Sequence, residues 1–194
     1  MAKKHAPSPR AWLLGMIGLG LAACAPAPAP TTGPVRVTVA PGVTLDLPAP
    51  AQLGRAVEAV QLVAARHDGQ TMLFQSRLSV TADRLRLVTT DSLGRQAMSV
   101  TWGAAGLEAE RAPWVPDGLR PENVLADIVL LYWPEAAVRQ GLGGADLRQD
   151  QDGRQVGEAI AIAWQGDPWS GRATLRNRAW DYELEVRSAL VAAP

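Results

Sequence analysis

Few residues in this chain could carry acid–base, nucleophilic or metal chemistry. The histidines are His5 and His67 and the one cysteine is Cys24, so His67 is the only imidazole beyond the N-terminal segment. His67 adjoins Asp68, and a His-Asp pair can serve a hydrolase. Adjacent side chains point apart, however, and Asp68-Gly69 between two apolar runs has the chemistry of a hairpin turn. No serine sits in a nucleophile-elbow pattern, and no glycine-rich phosphate loop follows a strand. One imidazole and one N-terminal thiol cannot assemble a nucleophile–base pair or a multi-histidine metal site. The sequence therefore predicts no catalysis, no bound metal and no cofactor. Setting aside Lys3, Lys4 and Arg10 leaves 16 basic against 19 acidic residues, a formal charge of −3. A mildly acidic body has no electrostatic footprint for nucleic acid.

Asp127 is the carboxylate in an unusual setting. It is the only charged residue between Val124 and Trp133, a run apolar enough to form a helix with greasy side chains around nearly its whole circumference. A buried charge needs a partner, for which the strand arginines Arg77, Arg86 and Arg176 are candidates. Asp127 then either belongs to a structural ion pair or a water-facing edge, or it is a polar anchor for a ligand headgroup inside a cavity. Six tryptophans follow Cys24. Trp102, Trp164 and Trp180 fall on apolar strand faces and read as core, whereas Trp114 and Trp169 flank prolines in loops and could touch a lipid, a glycan or a partner protein.

These residues must be positioned by Pro121–Gly141, which reads as two short helices hinged at Pro134. Pro121 suits the first helical position, and Gly141 is placed as the terminal cap. Roughly 13 residues at about 1.5 Å each span about 20 Å, short of the ~30 Å bilayer core, so the first helix is a core or lid helix. Strands surround it. Val57–Arg66 and Thr71–Val80 flank the Asp-Gly turn, and Arg84–Thr90, Arg95–Trp102 and Leu107–Arg111 follow at hairpin spacing. After a glycine-rich loop, Gly141–Gly153, with room for one short strand, come Glu158–Gln165, Trp169–Arg176 and Ala179–Arg187. Period-two alternation with hairpin connections predicts an antiparallel meander with one dry face, and the whole is α+β. As a lid, the first helix would bend at Trp133-Pro134 and point Leu125, Ile128 and Leu131 or Tyr132 at that dry face.

The N-terminus supplies an address. Lys3, Lys4 and Arg10 precede an apolar run from Ala11 to Ala22, too short to span a membrane and right for a signal peptide. Leu21-Ala22-Ala23-Cys24 looks like a bacterial lipobox, which implies cleavage after residue 23 and acylation of the Cys24 thiol. Ala25 rather than aspartate after the cysteine favours the outer membrane, facing the periplasm. Ala25–Pro34 alternates alanine and proline and reads as a semi-rigid spacer of about 30 Å. The expected organisation is a leader at 1–23, a lipidated cysteine and linker at 24–34, and one domain at 35–194.

Leu125-Ala126-Asp127, Leu130-Leu131-Tyr132-Trp133-Pro134, Val138, Trp169-Ser170-Gly171, Thr174-Leu175-Arg176-Asn177 and Tyr182-Glu183-Leu184 together resemble a family of uncharacterised bacterial lipoproteins. Some of its members are encoded beside aryl-polyene biosynthesis genes. The resemblance covers roughly Gln52 to Arg187. That family is similar in architecture to the lipoprotein carriers LolA and LolB, which implies a curved antiparallel half-barrel closed by helices over an apolar cavity. On this implication the cavity is lined by Met72, Phe74, Leu85, Leu87, Met98, Val100, Trp102, Leu125, Ile128, Trp133, Ile160, Ile162 and Trp164, with Asp127 as the polar anchor. The expected function is a lipid-anchored monomer that carries a hydrophobic ligand (a lipid, a polyene or lipoprotein acyl chains). The alternative is a non-catalytic envelope adaptor that docks a protein or glycan through Trp114 and Trp169.

Overall fold

Alternation of period two becomes strand wherever turn chemistry interrupts it. In the computed structural model, which describes residues 35–191, the elements in order are β1 (Arg36–Ala40), β2 (Val43–Asp46), a 3-10 turn (Pro50–Leu53), β3 (Val57–His67), β4 (Gln70–Val80), β5 (Arg84–Asp91), β6 (Gln96–Gly103) and β7 (Gly106–Arg111). Then come α1 (Pro121–Tyr132), α2 (Glu135–Gly141), β8 (Leu142–Gly143), β9 (Leu147–Gln149), β10 (Gly153–Val156), β11 (Ile160–Gln165), β12 (Arg172–Asn177) and β13 (Tyr182–Leu190). The leader, Cys24 and the Ala/Pro linker lie outside the described residues.

Ten strands form one curved antiparallel sheet in the order β7-β6-β5-β4-β3-β13-β12-β11-β10-β9, and the sheet does not close into a barrel. It is two meanders joined at the middle, where β13 pairs along the length of β3 from Tyr182↔His67 to Leu190↔Ala59. The first and last long strands of the domain are thus neighbours. A second sheet, β1-β2-β8, has three strands. Helix α1 touches β1 of the small sheet and β6, β7 and β12 of the large one, so it is covered from both sides. That explains why Leu125 through Tyr132 are all buried, as an all-round apolar helix requires.

Local chemistry sets the boundaries. Asp68 (φ 48°) and Gly69 (φ 71°) are both left-handed, the geometry of a two-residue type I′ hairpin. Two strands start three residues later than the sequence predicts. The Asp167 carboxylate accepts the Trp169 N–H at 2.7 Å and so holds residues 167–170 in a turn, which delays β12 to Arg172. Likewise the Asn177 side-chain oxygen accepts the N–H groups of Ala179 (3.1 Å) and Trp180 (3.2 Å), and β13 begins only at Tyr182. The glycine-rich stretch after α2 holds three short strands, not one. Gly141 is the last residue of α2 and no left-handed cap: a Cβ there would lie 2.2 Å from the Asp46 carbonyl, so glycine lets α2 sit against β2.

Candidate functional site

Register across the large sheet sorts the concave face into rows. Trp102, Leu85, Val80 and Val57 stand side by side, and the next row is Val100, Leu87, Leu78 and Ala59. The third row is Met98, Thr89, Ser76, Gln61 and Ser188, polar in four of its five places. Beyond it apolar residues resume, with Phe74, Val63 and Val186 in one row and Met72, Ala65 and Leu184 in another. The first two rows are packed: Trp133 of the α1–α2 junction brings its ring centroid 6.4 Å from that of Trp102, and the Pro50–Leu53 turn reaches β5. The last two rows face a cavity of about 770 Å³, which Met98, Thr89, Ser76 and Gln61 of the third row and Leu87 of the second also border. Its other walls are the Asn123–Tyr132 side of α1 and the loop from Val115 to Arg120, and the exposed His67, Asp68, Gln70 and Arg120 stand at its rim.

The polar row is satisfied from within. Ser76 and Thr89 share a hydrogen bond of 3.0 Å. Gln61 Nε2 donates to the Tyr132 hydroxyl at 2.7 Å and to Ser188 Oγ at 3.1 Å, and the two hydroxyls are 3.0 Å apart. Tyr132 also lies against Trp169, with ring centroids 4.2 Å apart. Burial pushes the Tyr132 phenol up to about 12, against the pull of its Ser188 and Gln61 bonds.

Asp127 stands differently. It is 7% exposed, lines the cavity, and accepts the Tyr182 hydroxyl at Oδ1, 2.8 Å away. The proposed arginine partners do not reach it. Arg77 and Arg86 flank inward-facing residues of β4 and β5, and Arg176 alternates likewise in β12, so all three are exposed on the convex side. Burial raises the Asp127 carboxyl to about 7, with the Tyr182 bond working the other way. The Tyr182 phenol is itself pushed up, by burial first and by the charge of Asp127 second. Asn177 Nδ2 donates to Val39 O at 2.8 Å and lies 3.4 Å from the Tyr182 oxygen, which ties β1, β12 and β13 to this point on α1.

The far end of α1 is clasped by Arg154 of β10. Its guanidinium donates to the carbonyls of Leu130 (2.6 Å) and Trp133 (2.9 Å) and to Gln149 Oε1 (2.8 Å). These carbonyls belong to the unsatisfied end of the helix, where a cation also meets the negative pole of the helix dipole. Burial lowers this guanidinium to about 10, opposed by the charge of Glu135. The bend at Trp133-Pro134 is real, with both residues extended; Pro134 is exposed, but Trp133 is buried and its carbonyl clamped, and α1 is a wall wedged between two sheets.

Of the residues expected to line a cavity, Met72, Phe74, Leu87, Met98, Asp127 and Ile128 do so. Leu85, Val100, Trp102, Leu125, Trp133, Ile160 and Ile162 lie instead in the packed core, and Trp164 is half-buried with the Arg154 guanidinium 5.4 Å from its ring centroid. Alternation identifies a dry face but not where along a strand the cover stops. Trp180, expected in the core, sits in the β12–β13 turn and lines the cavity. Trp169 is 5% exposed, so Trp114, 40% exposed with Arg95 4.7 Å over its ring, has no tryptophan partner on a shared docking surface. Gln61, Thr89 and the Val115–Arg120 loop also line the cavity, none of them expected there from the sequence. Ser76, a hydroxyl among the apolar residues of its strand face, was the available signal.

No curated protein matches the chain. The stretch from β3 to β13, containing the whole large sheet, both helices and the cavity walls, does match a family: over residues 58–189, more than half its length, the chain belongs to the family described as Protein of unknown function (DUF3261).

Proposed function

We propose that this protein is a non-catalytic, lipid-anchored binder of hydrophobic ligands that holds a lipid, polyene or lipoprotein acyl chain in the concave cavity. The observation that carries the reading is the hollow itself: about 770 Å³, bordered by Val63, Phe74, Met98, Ile128 and Leu184. Ligand sites are typically concave, mostly apolar and about 300–1,000 Å³, with a few placed polar groups. A domain of this size with an apolar hollow forgoes contacts that a packed core would make. An occupant restores them. The lipobox at Cys24 and the Ala/Pro linker support a site on the periplasmic face of the outer membrane, and the curved, unclosed sheet with a helix on its concave side supports a likeness to LolA and LolB.

Native mass spectrometry of the protein taken from the bacterial envelope tests the reading. The expected result is a co-purifying amphiphile that is displaced by added acyl chains. Protein that leaves the envelope empty and takes up no acyl probe overturns it.

A further inference from the structure

Charge around the cavity divides by depth. At the rim each basic side chain has an acidic neighbour: Arg66 lies 3.0 Å from Glu183 and 3.5 Å from Glu185, Arg120 is 3.8 Å from Glu122, and His67 is 3.4 Å from Asp68. Deeper in, most polar groups are engaged as well, the exception being Asn123, whose Oδ1 is buried without a hydrogen-bond partner on the cavity side of α1. Gln61, Tyr132 and Ser188 bond one another, and the Tyr182 hydroxyl donates its hydrogen to Asp127. Among the described residues only Tyr182 bonds the Asp127 carboxyl, and no cation pairs with it. An ionised carboxylate can accept at both oxygens, so this buried group is short of a donor. An anionic headgroup brought here would meet a like charge and no cation, whereas an ammonium or hydroxyl would supply the missing bond.

We infer that the occupant is an amphiphile whose buried end carries a hydrogen-bond donor, an ammonium or a hydroxyl, set against Asp127 beside Tyr182, with its chain lying along Val63, Phe74 and Met98. This rests on the ligand-binding reading above and adds the class of headgroup. An occupant with a purely anionic head, such as a fatty carboxylate, is disfavoured at that depth.

The experiment uses the full processed chain in a mild detergent, with dodecylamine, dodecanol and dodecanoate as probes of equal chain length, at mildly alkaline pH where Asp127 is ionised. Retention is read by native mass spectrometry and by competition between probes. The amine and the alcohol are expected to bind at least about tenfold more tightly than the carboxylate, because an unpaired or like-charged buried group costs more than a neutral bond. Asp127→Asn keeps an acceptor but loses the charge, and should cut amine binding about tenfold while leaving the alcohol nearly unchanged. Tyr182→Phe frees the occupied carboxylate oxygen and should strengthen the amine and not the carboxylate, which gives a second readout if Asp127→Asn folds poorly. Between the two sources of a donor, the amine outcompeting the alcohol marks a cationic ligand, and the reverse marks a neutral one; either supports the inference. Equal binding of dodecanoate, or three probes indifferent to both substitutions, overturns the headgroup inference and leaves the carrier reading standing. Retention of no probe at all overturns both.

Discussion

Strands β3 and β4 run side by side through a packed region and a hollow one. Near Val57 and Val80 their inward side chains meet the rest of the main core; near Val63 and Phe74 the same alternation opens on the cavity. The strands do not change character between the two. What changes is the layer above them. Trp133 and the Pro50–Leu53 turn press down on one end, while the other is roofed by α1 and the Val115–Arg120 loop with space beneath. The Thr89–Ser76–Gln61–Ser188 row marks the border, and its hydroxyls and amide bond one another in place of water. A dry sheet face can therefore be filled at one end and hollow at the other, with a polar seam between.

The sharpest way to break this comparison is to place a charge on each side of it. Leu125 is fully buried in the wedge, and Leu125→Asp should cost more than about 5 kcal/mol and leave no folded protein, because nothing there can solvate the carboxylate. Ile128 borders the cavity, so Ile128→Asp should fold, with a denaturation midpoint lowered by only a few kcal/mol equivalent, and should lose ligand. Equal unfolding of both variants, followed by circular dichroism, would mean the hollow end is as tightly packed as the other.

Next in size is the pH response of Asp127. Its folded value, raised to about 7 from an ordinary 3.8, means that the native state holds a proton the unfolded chain has released across that window. The native state binds more protons, so stability should be greatest below about pH 4 for this group and should fall as pH rises toward 7, by on the order of 4 kcal/mol in all. Asp127→Asn should abolish that slope in urea titrations run at a series of pH values. A wild-type slope equal to the variant's would show that the cavity hydrates the carboxylate.

Arg154 sharpens the packed side. Arg154→Met keeps the stem but strands the carbonyls of Leu130 and Trp133, and should cost about 2–4 kcal/mol by thermal or urea melts. A loss under about 1 kcal/mol would mean that Trp133 alone holds the helix end. The smallest effect belongs to the seam. Ser76→Ala removes one hydrogen bond to Thr89 next to the cavity and should cost about 0.5–1.5 kcal/mol, with a measurable change in ligand retention if the seam borders bound ligand.

Several assignments were legible because they depend on neighbours in sequence. The Asp68-Gly69 turn, the alternation of β3 through β6 and the proline-started, all-apolar α1 are settled by backbone sterics and by which face must leave water. Even the error over Asp127 was correctable from pattern. An arginine next to an inward-facing residue in a strand faces outward, so Arg77 and Arg86 were never within reach. Tyr182 as the true partner was not legible, since it lies 55 residues away and reaches Asp127 only because β13 pairs with β3 beside the helix.

By itself, then, the sequence determined the long strands β3 to β7 and the apolar helix α1, which of their faces are dry, and the Asp68-Gly69 turn, and it offered the lipobox-like segment and linker on which the expected address rests. Tertiary structure alone decided that one end of the dry face is filled and the other hollow, and that Asp127 meets a phenol and no cation. The physical reason is that periodicity records only a side chain's exclusion from water. Whether the space opposite is occupied depends on the volumes and placement of segments far away in the chain, here Trp133, Arg154 and the Val115–Arg120 loop.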